Sequence, residues 1–394
     1  MHTVGDADTD RGDVRHLYVH VPFCRHHCGY CDFVTAVGRR SEHSGYVDAL
    51  LAELRREEHL LTSDALDTVF LGGGTPTYLE SKALARLLRS LPPGREVTVE
   101  ANPETVTPEL CEVLLAHGVT RVSLGAQTFE PELLATLERQ ATPEIVMGAF
   151  ATLRQAGMAN LSLDLIYGIP GQRTEQLEHD VHVALELAPE HVSVYELEAK
   201  PGTRFTMAHG AELTRQSDQL EHYMELATQG LQAGGYRWYE TASFCLTQEG
   251  DARDLRSDHN LAYWRGKDYL GLGVGAVSTV GEQRWKNAAS VSGYVSALLG
   301  GDAPARSKEH VDGRLRMWER AMLCLRLDDF LDEGVFSDVL DPQGVECMAA
   351  RGLLERDGRS IRLTPRGRLL GNAVTIEVLS ESAELGGSHS ATRT

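Results

Sequence analysis

The stretch Leu17–Phe33, LYVHVPFCRHHCGYCDF, joins an apolar, β-branched run at Leu17–Val21 to a loop carrying Cys24, Cys28 and Cys31. A short apolar run of this kind reads as a buried strand, so the three cysteines fall on the loop that leaves the first strand, in a C-x3-C-x2-C array. Three thiolates from one short loop can hold three irons of a [4Fe-4S] cubane, leaving the fourth iron without a protein ligand and open to another molecule. The alternative is zinc, with His20, His26 or His27 completing a tetrahedral Cys3His set. Zinc usually shows its fourth ligand at a defined spacing in a small module. Here the loop opens a long series of strand–helix units, and that context favours the cluster.

Outward from this loop, short apolar runs alternate with segments of helical period, the signature of repeated βα units on a parallel sheet. Six strands are predicted, at Leu17–Val21, Thr68–Gly72, Glu96–Ala101, Arg121–Gln127, Leu161–Tyr167 and His191–Glu198. Helices are predicted between them at Tyr46–Leu61, Lys82–Ser90, Pro108–His117, Pro143–Ala156 and Glu175–Leu187, several preceded by Ser or Thr as N-caps. Right-handed crossovers allow either a barrel or an open doubly wound sheet. Glu100, Gln127, Asp164 and Glu196 lie at or near strand C-termini, where barrel enzymes assemble their sites, which favours an α/β fold built as a partial (β/α)6, TIM-like barrel. After the second strand, FLGGGTPT supplies Gly72, Gly73 and Gly74 before Thr75. Such a turn lets backbone approach a ligand and leaves N–H and C=O groups for an amino acid's ammonium and carboxylate.

Beyond Lys200–Pro201–Gly202 the pattern changes to a helix at Leu220–Ala233, a strand at Tyr236–Phe244 and a glycine-rich stretch at Gly271–Gly275. From about Leu315 the chain is helical again and ends in GLLERDGRSIRLTPRGRLLGN, a helix-then-hairpin order that suggests an α+β, winged-helix-like module. The expected division is a disordered tail at 1–15, the barrel at 16–205, an extension at 206–305, a C-terminal domain at 306–378 and a second tail at 379–394.

Composition sets limits on function. With 38 Lys and Arg against 57 Asp and Glu, the net charge of −19 repels a phosphate backbone, so no nucleic-acid partner is expected, and the winged shape reads as a structural cap. No apolar run approaches the roughly 18 residues of a membrane span, and the acidic start is unlike a signal peptide, which points to the cytoplasm. A reducing compartment disfavours disulfides among the seven cysteines. Cys111, Cys245, Cys324 and Cys347 are scattered and read as structural.

Taken together, YVHVPFCRHHCGYCDF, GGGTPT, VEANP, SLGAQTF and LDLIYGIPGQ, in this order, resemble the HemN-like radical S-adenosylmethionine (SAM) family over about residues 16 to 375. The resemblance implies a radical SAM barrel in which the open iron of the cluster chelates SAM. It implies Cys24, Cys28 and Cys31 as cluster ligands, with Tyr18 and Tyr30 packing around SAM and Gly73, Gly74 and Thr75 holding its methionyl end. Glu100, Gln127, Arg139 and Asp164 match the family's further SAM contacts.

Within the family, the oxygen-independent coproporphyrinogen III oxidases carry a fourth cysteine two positions after the third. Phe33 stands there in this chain, which resembles the HemW branch of haem chaperones. His259, Asn260, Tyr263 and Trp264 form an H-N-x-x-Y-W arrangement typical of that branch, so the resemblance implies haem as a ligand, with the imidazole as a candidate axial ligand and a haem-acceptor protein as partner. The other reading of His259 is a histidine that, with the aromatics, closes the bottom of a barrel extension. Ser257 and Asp258 replace the branch's usual Cys-Arg, so thioether attachment of haem is not expected. Three functions remain open on the sequence: a haem chaperone with cluster and SAM, a radical SAM enzyme acting on coproporphyrinogen or performing methyl transfer or cyclopropanation, and a zinc or scaffold protein.

Overall fold

The computed structural model describes residues 13–200, 202–247 and 254–380, together with the backbone of Thr3–Val4. Six parallel strands, β1 His16–Val21, β2 Leu66–Gly73, β3 Gly94–Ala101, β4 Arg121–Gln127, β5 Leu161–Tyr167 and β6 His191–Glu196, follow one another in sheet order as in sequence. The first five helices that cover them or cap their ends are α1 His43–Glu57, α2 Ser81–Ser90, α3 Pro108–Ala116, α4 Pro131–Thr136 and α5 Pro143–Gln155. They are followed by α6 Thr174–Leu187. Thr107 and Thr142 cap α3 and α5 by accepting the N–H groups of Leu110 and Ile145, each with proline in the first turn.

Strand alternation sorts the side chains. Leu17, Val19 and Val21 of β1, Val69 and Leu71 of β2, Val97 and Val99 of β3, and Val122 and Leu124 of β4 are buried in the main core with α1 to α6. The other face turns into the barrel and is unusually polar. Glu96, Arg121 and His191 lie low in it, Ser123 and Asp164 midway, and Glu100 and Tyr195 toward the C-terminal ends. A parallel sheet ordinarily buries apolar residues on both faces, so this interior is where the fold departs from simple packing.

The sheet does not stop with the six strands. Past α7 Arg204–Gln216 and α8 Leu220–Ala233, the predicted strand Tyr236–Phe244 is instead a hairpin, β7 Tyr236–Trp238 and β8 Ser243–Leu246, with β8 antiparallel to β6. The reversal falls at Glu240, whose carboxylate accepts the N–H of Ala242 at 3.1 Å and stabilises the turn. At the opposite edge, β9 Leu270–Leu272 pairs in parallel with β1. The result is an open barrel of nine strands, ordered β7-β8-β6-β5-β4-β3-β2-β1-β9. A short helix, α9 Asp258–Trp264, runs under its N-terminal end.

The C-terminal region has a helix at Gly313–Cys324, a strand at Phe330–Asp332, a helix at Pro342–Ala350 and a hairpin of Leu354–Asp357 with Ser360–Leu363. This is the helix-and-hairpin order expected from the sequence. It packs its own core around Phe336, Val345, Met348, Ile361 and Val374, and Arg368 lays its guanidinium 3.7 Å from the centre of the Trp238 ring on the barrel.

Both expected tails need correction where they are described. Thr3–Val4 pairs in parallel with Phe330–Leu331, Val14 already runs beside Leu61, and the chain stays in contact through Ser380, whose carbonyl accepts the Trp318 indole at 2.9 Å. Short polar sequence was read as a tail, and backbone pairing overrides it. The remainder of both expected tails lies outside the described residues. Among the described residues no helix is long and apolar enough to cross a membrane.

Candidate cofactor site

The cysteine loop is closed at its base, where Phe23–Cys24 pairs in parallel with Ala36–Val37 and Ala36 N–H donates to Pro22 O at 2.7 Å. A turn from Cys31 N–H to Cys28 O at 3.2 Å folds the tip. Cys24, Cys28 and Cys31 all face an open cavity of about 500 Å³ at the C-terminal ends of the strands, alongside Tyr30, Gly73, Gly74, Thr75, Glu100 and Gln127. Among the described residues, no three His, Cys, Asp or Glu side chains converge on the position of a single ion. His20, a possible zinc ligand, is committed elsewhere: its Nδ1 pairs with the Tyr18 hydroxyl at 3.0 Å and its Nε2 with Val34 O at 2.9 Å. Three thiols on one cavity, with His20 committed elsewhere, suit a cubane better than a tetrahedral zinc site. Burial pushes the Cys24 thiol up to about 11, against the Thr75 hydroxyl beside it, and burial also raises Cys31. Both therefore hold their protons until metal displaces them. Arg139 brings positive charge within 3.9 Å of Cys28 Sγ.

The glycine turn works differently from the sequence expectation. The N–H groups of Gly73, Gly74 and Thr75 are already given, to Glu100 Oε2 at 3.0 Å, Val21 O at 2.8 Å and Phe23 O at 2.9 Å, so these three are not free for a ligand. The glycines answer crowding by the protein itself. A Cβ on Gly72 would sit 2.7 Å from Phe70, one on Gly73 2.4 Å from the His20 ring, and one on Gly74 2.7 Å from Pro22 O and 3.0 Å from Cys24 Sγ. Gly73 also needs its φ of 107°. The turn is thus locked against the cysteine loop, and it makes one wall of a cradle.

Glu100, beside the glycine turn, and Gln127, Arg139 and Asp164 also line the cavity. Burial, reinforced by the charge of Asp164, raises Glu100 to about 7. Asp164 is raised to about 6 by burial, against the hydroxyl of Ser123, which donates to both its oxygens at 3.1 and 2.9 Å. Two buried carboxylates that resist ionisation are well matched to a cationic ligand such as a sulfonium. Gln127 adopts φ 70°, a left-handed conformation that costs a non-glycine residue energy. Helix α6 holds it there: the buried Asp180 accepts Thr128 Oγ1–H at 2.8 Å and Phe129 N–H at 2.6 Å. Arg139 donates to Gly125 O at 2.8 Å and Asn102 Oδ1 at 3.0 Å, and Asn102 in turn donates to Thr75 Oγ1 at 2.9 Å.

Asn102 therefore ties the cysteine and glycine wall to the arginine wall, a role the sequence reading missed although it lies in the VEANP motif beside Glu100. Ser123, Tyr195 and Lys200 also line the cavity unannounced. Ser123 could have been found from its place four residues before Gln127 on the inward face, whereas Tyr195 and Lys200 had no signal beyond the end of a strand.

Tyr30 lines the cavity and meets Phe205 edge-on at 6.5 Å. Tyr18 does not line it: its ring stacks on Phe70 at 6.2 Å, beneath the cavity floor. Its alternation along β1 points it into the barrel one layer too low. His259, Asn260, Tyr263 and Trp264 are likewise outside the cavity. They form α9, and His259, 3% exposed, pairs its Nδ1 with Thr68 Oγ1 at 2.8 Å and stacks on Phe70 at 4.8 Å. Ser257 caps this helix by accepting Asn260 N–H. The motif closes the bottom of the barrel, as the second reading of His259 had it.

An open barrel whose first loop aims three thiols at a cavity walled by glycines and buried carboxylates is that of a radical SAM protein, and residues 18–184 match the family model described as the Radical SAM superfamily. Membership of that superfamily implies a [4Fe-4S] cluster and SAM, and the thiol ring, glycine cradle and paired carboxylates fit both. Among curated relatives, the heme chaperone HemW of Mycobacterium tuberculosis (strain ATCC 25618 / H37Rv) is 36% identical over 374 residues, covering 92% of this chain and 94% of that one. Its counterpart in Bacillus subtilis (strain 168) is 34% identical and covers 93% and 100%. That of Escherichia coli (strain K12) is 31% identical and covers 93% and 98%. The chain belongs to the HemW heme chaperone family. The solved structure of coproporphyrinogen III oxidase (HemN) from Escherichia coli, a radical SAM enzyme, matches with TM-score 0.77 over 93% of this chain and 91% of that one, at 24% identity, a likeness of fold.

Proposed function

We propose that this chain is a haem chaperone that binds a [4Fe-4S] cluster through Cys24, Cys28 and Cys31, binds SAM in the cavity above it, and carries haem to an acceptor protein. The observation that carries the reading is Phe33, 66% exposed on the cavity wall where the oxidase branch would place its fourth cysteine. No thiol is available there. The charge of the cavity supports the same branch. Its wall carries Asp32, Glu100, Asp164, Glu196 and Glu198 against Arg139 and Lys200. Lys200 already lies 3.5 Å from Glu198 and 4.0 Å from Asp32. A porphyrinogen with four carboxylates meets repulsion in such a cavity, whereas the sulfonium of SAM is attracted.

When bound, the cluster supplies an electron and an open iron for SAM. The chain's own residues do the rest. Glu100 and Asp164 offer carboxylate oxygens to ribose hydroxyls or the ammonium, Gln127 presents its amide from a strained turn, and Arg139 offers the carboxylate of SAM a guanidinium face. Haem is assigned to His259, Asn260, Tyr263 and Trp264. With His259 sealed in the floor, its imidazole would meet haem iron only after α9 leaves the barrel.

The test is anaerobic reconstitution followed by parallel haem titration and product analysis with coproporphyrinogen III. Haem binding near one per chain, extractable by acidified organic solvent because Ser257 offers no thioether, is expected without conversion. Conversion by cluster-loaded protein would overturn the reading. A second reading, a radical SAM enzyme of another kind, is favoured by the completeness of the SAM cradle, and absence of both haem binding and conversion would select it, with methyl transfer on an unidentified substrate.

A further inference from the structure

The H-N-x-x-Y-W helix has a structural connection that the haem reading does not use. Its N-terminus is pinned from inside the barrel. Glu96 accepts Asp258 N–H at 3.2 Å, His259 N–H at 3.1 Å and Ser257 Oγ–H at 3.4 Å. Glu96 is itself paired with Arg121 at 3.1 Å, and Arg121 donates onward to Leu255 O and Arg256 O at 3.3 and 3.0 Å. A helix whose first N–H groups are bonded to a buried ion pair is anchored by its N-terminus.

The helix presents one ring upward. His259 lies against Phe70 with centroids 4.8 Å apart and planes at 20°, backed edge-on by Tyr263 at 5.0 Å and fixed in rotation by Thr68 Oγ1. The other side of Phe70 meets Tyr18 at 6.2 Å and 25°. Above, the edge of Phe70 reaches the glycine turn: a Cβ at Gly72 would lie 2.7 Å from Phe70 Cε1 and 3.0 Å from the Glu100 carboxyl. Phe70 therefore stands directly beneath the point where Glu100 accepts Gly73 N–H. Phe70 is therefore stacked against the His259 ring while its edge meets the glycine turn, so the His259 ring limits how Phe70 can turn.

We propose that His259 is a positioning residue for the SAM pocket, acting through Phe70 on Gly72, Gly73 and Glu100. The inference rests on the reading of the cavity as the SAM site. It assigns the imidazole a role as a flat packing element in the chain as it stands, independent of any role toward haem. Truncating the ring removes the surface on which Phe70 stacks, lets that ring turn, and loosens the contact its edge makes where Glu100 meets the glycine turn. A hydrogen bond of that kind is worth enough that SAM affinity should fall by about threefold to tenfold.

The experiment compares wild type with His259→Ala, His259→Phe and Phe70→Leu, all cluster-loaded, by equilibrium dialysis with SAM and by the change SAM makes in the electron paramagnetic spectrum of the reduced cluster. His259→Ala and Phe70→Leu are expected to weaken SAM binding and alter the SAM-induced spectrum, with the double variant no worse than the weaker single one. His259→Phe restores the flat ring without a nitrogen and is expected to bind SAM nearly as wild type does. Thermal unfolding of each variant separates pocket effects from loss of fold, and Phe70→Leu keeps the test open should a His259 variant unfold. Wild-type SAM affinity in a folded His259→Ala protein, or affinity in His259→Phe as poor as in His259→Ala, overturns the proposal. If wild type itself binds no SAM, the reading of the cavity fails first and the inference falls with it.

Discussion

Binding of SAM should strengthen as pH rises through the range in which Glu100 and Asp164 ionise. Burial raises Glu100 to about 7 and Asp164 to about 6. A cationic ligand binds the ionised form, so the affinity follows the ionised fraction. For a group at about 7 that fraction rises from about one-eleventh at pH 6 to about ten-elevenths at pH 8, about a tenfold gain in affinity, and Asp164 adds about a further twofold. The direction is fixed by the sign of the shift: an acid raised by burial stays neutral longer, so affinity is lost as pH falls through 7. Equilibrium dialysis of SAM against cluster-loaded protein at pH 6, 7 and 8 measures it. Glu100→Gln should bind more weakly throughout and lose most of the slope. A dissociation constant that is flat from pH 6 to 8 in wild type would refute the argument that these carboxylates meet the charge of the ligand.

Three further outcomes are expected. Replacing Cys24, Cys28 or Cys31 singly with Ala should abolish the visible charge-transfer absorption of the reconstituted protein while Cys111→Ala, on the buried side of α3, should not; retention of full iron and sulfide in a loop variant would remove that residue from the ligand set. Arg121→Met leaves Glu96 charged without its ionic partner, at 8% side-chain exposure, and should cost about 3–5 kcal/mol in urea unfolding, part of it recovered by adding Glu96→Gln; a loss within about 1 kcal/mol would show that α9 is held by other contacts. Burial raises Asp180 from 3.8 to about 7, so its contribution to stability is full below pH 4 and declines as pH rises toward 7. Asp180→Asn should flatten that decline in thermal unfolding of the metal-free chain, and an unchanged pH profile would show that its carboxylate is not the group responsible.

The six barrel strands were legible because apolar runs bounded by turns are local signals, and β4 and β5 fall on the expected residues. The cluster cysteines were legible for a related reason, since three ligands within eight residues need no tertiary knowledge to be brought together. Glu100 and Gln127 could be chosen as site residues because they lie at the ends of strands, whereas Arg139 and the mid-strand Asp164 were marked by the family's motifs. What failed were properties of depth and neighbourhood. Tyr18 obeys the alternation of β1, yet whether its ring reaches the cavity or stops beneath it depends on the layer set by Phe70. The glycines of the turn were expected to free backbone for a ligand, but the atoms that exclude a Cβ belong to His20, Phe70 and Pro22, two of which come from a different strand or loop.

The sequence by itself determined the chemistry available: the thiol triad, the absence of a thiol at Phe33, the βα repeat and the net charge. The tertiary structure alone decided which of these residues share a space. It closed the barrel floor with the H-N-x-x-Y-W helix, because Glu96 and Arg121, about 160 and 135 residues away in sequence, supply the buried partners of its N-terminus. It added β7, β8 and β9 to the sheet from beyond the expected barrel boundary, since edge strands seek hydrogen-bond partners wherever the chain returns. It also placed His259 against Phe70 rather than in the open, a matter of packing volume that no local pattern encodes.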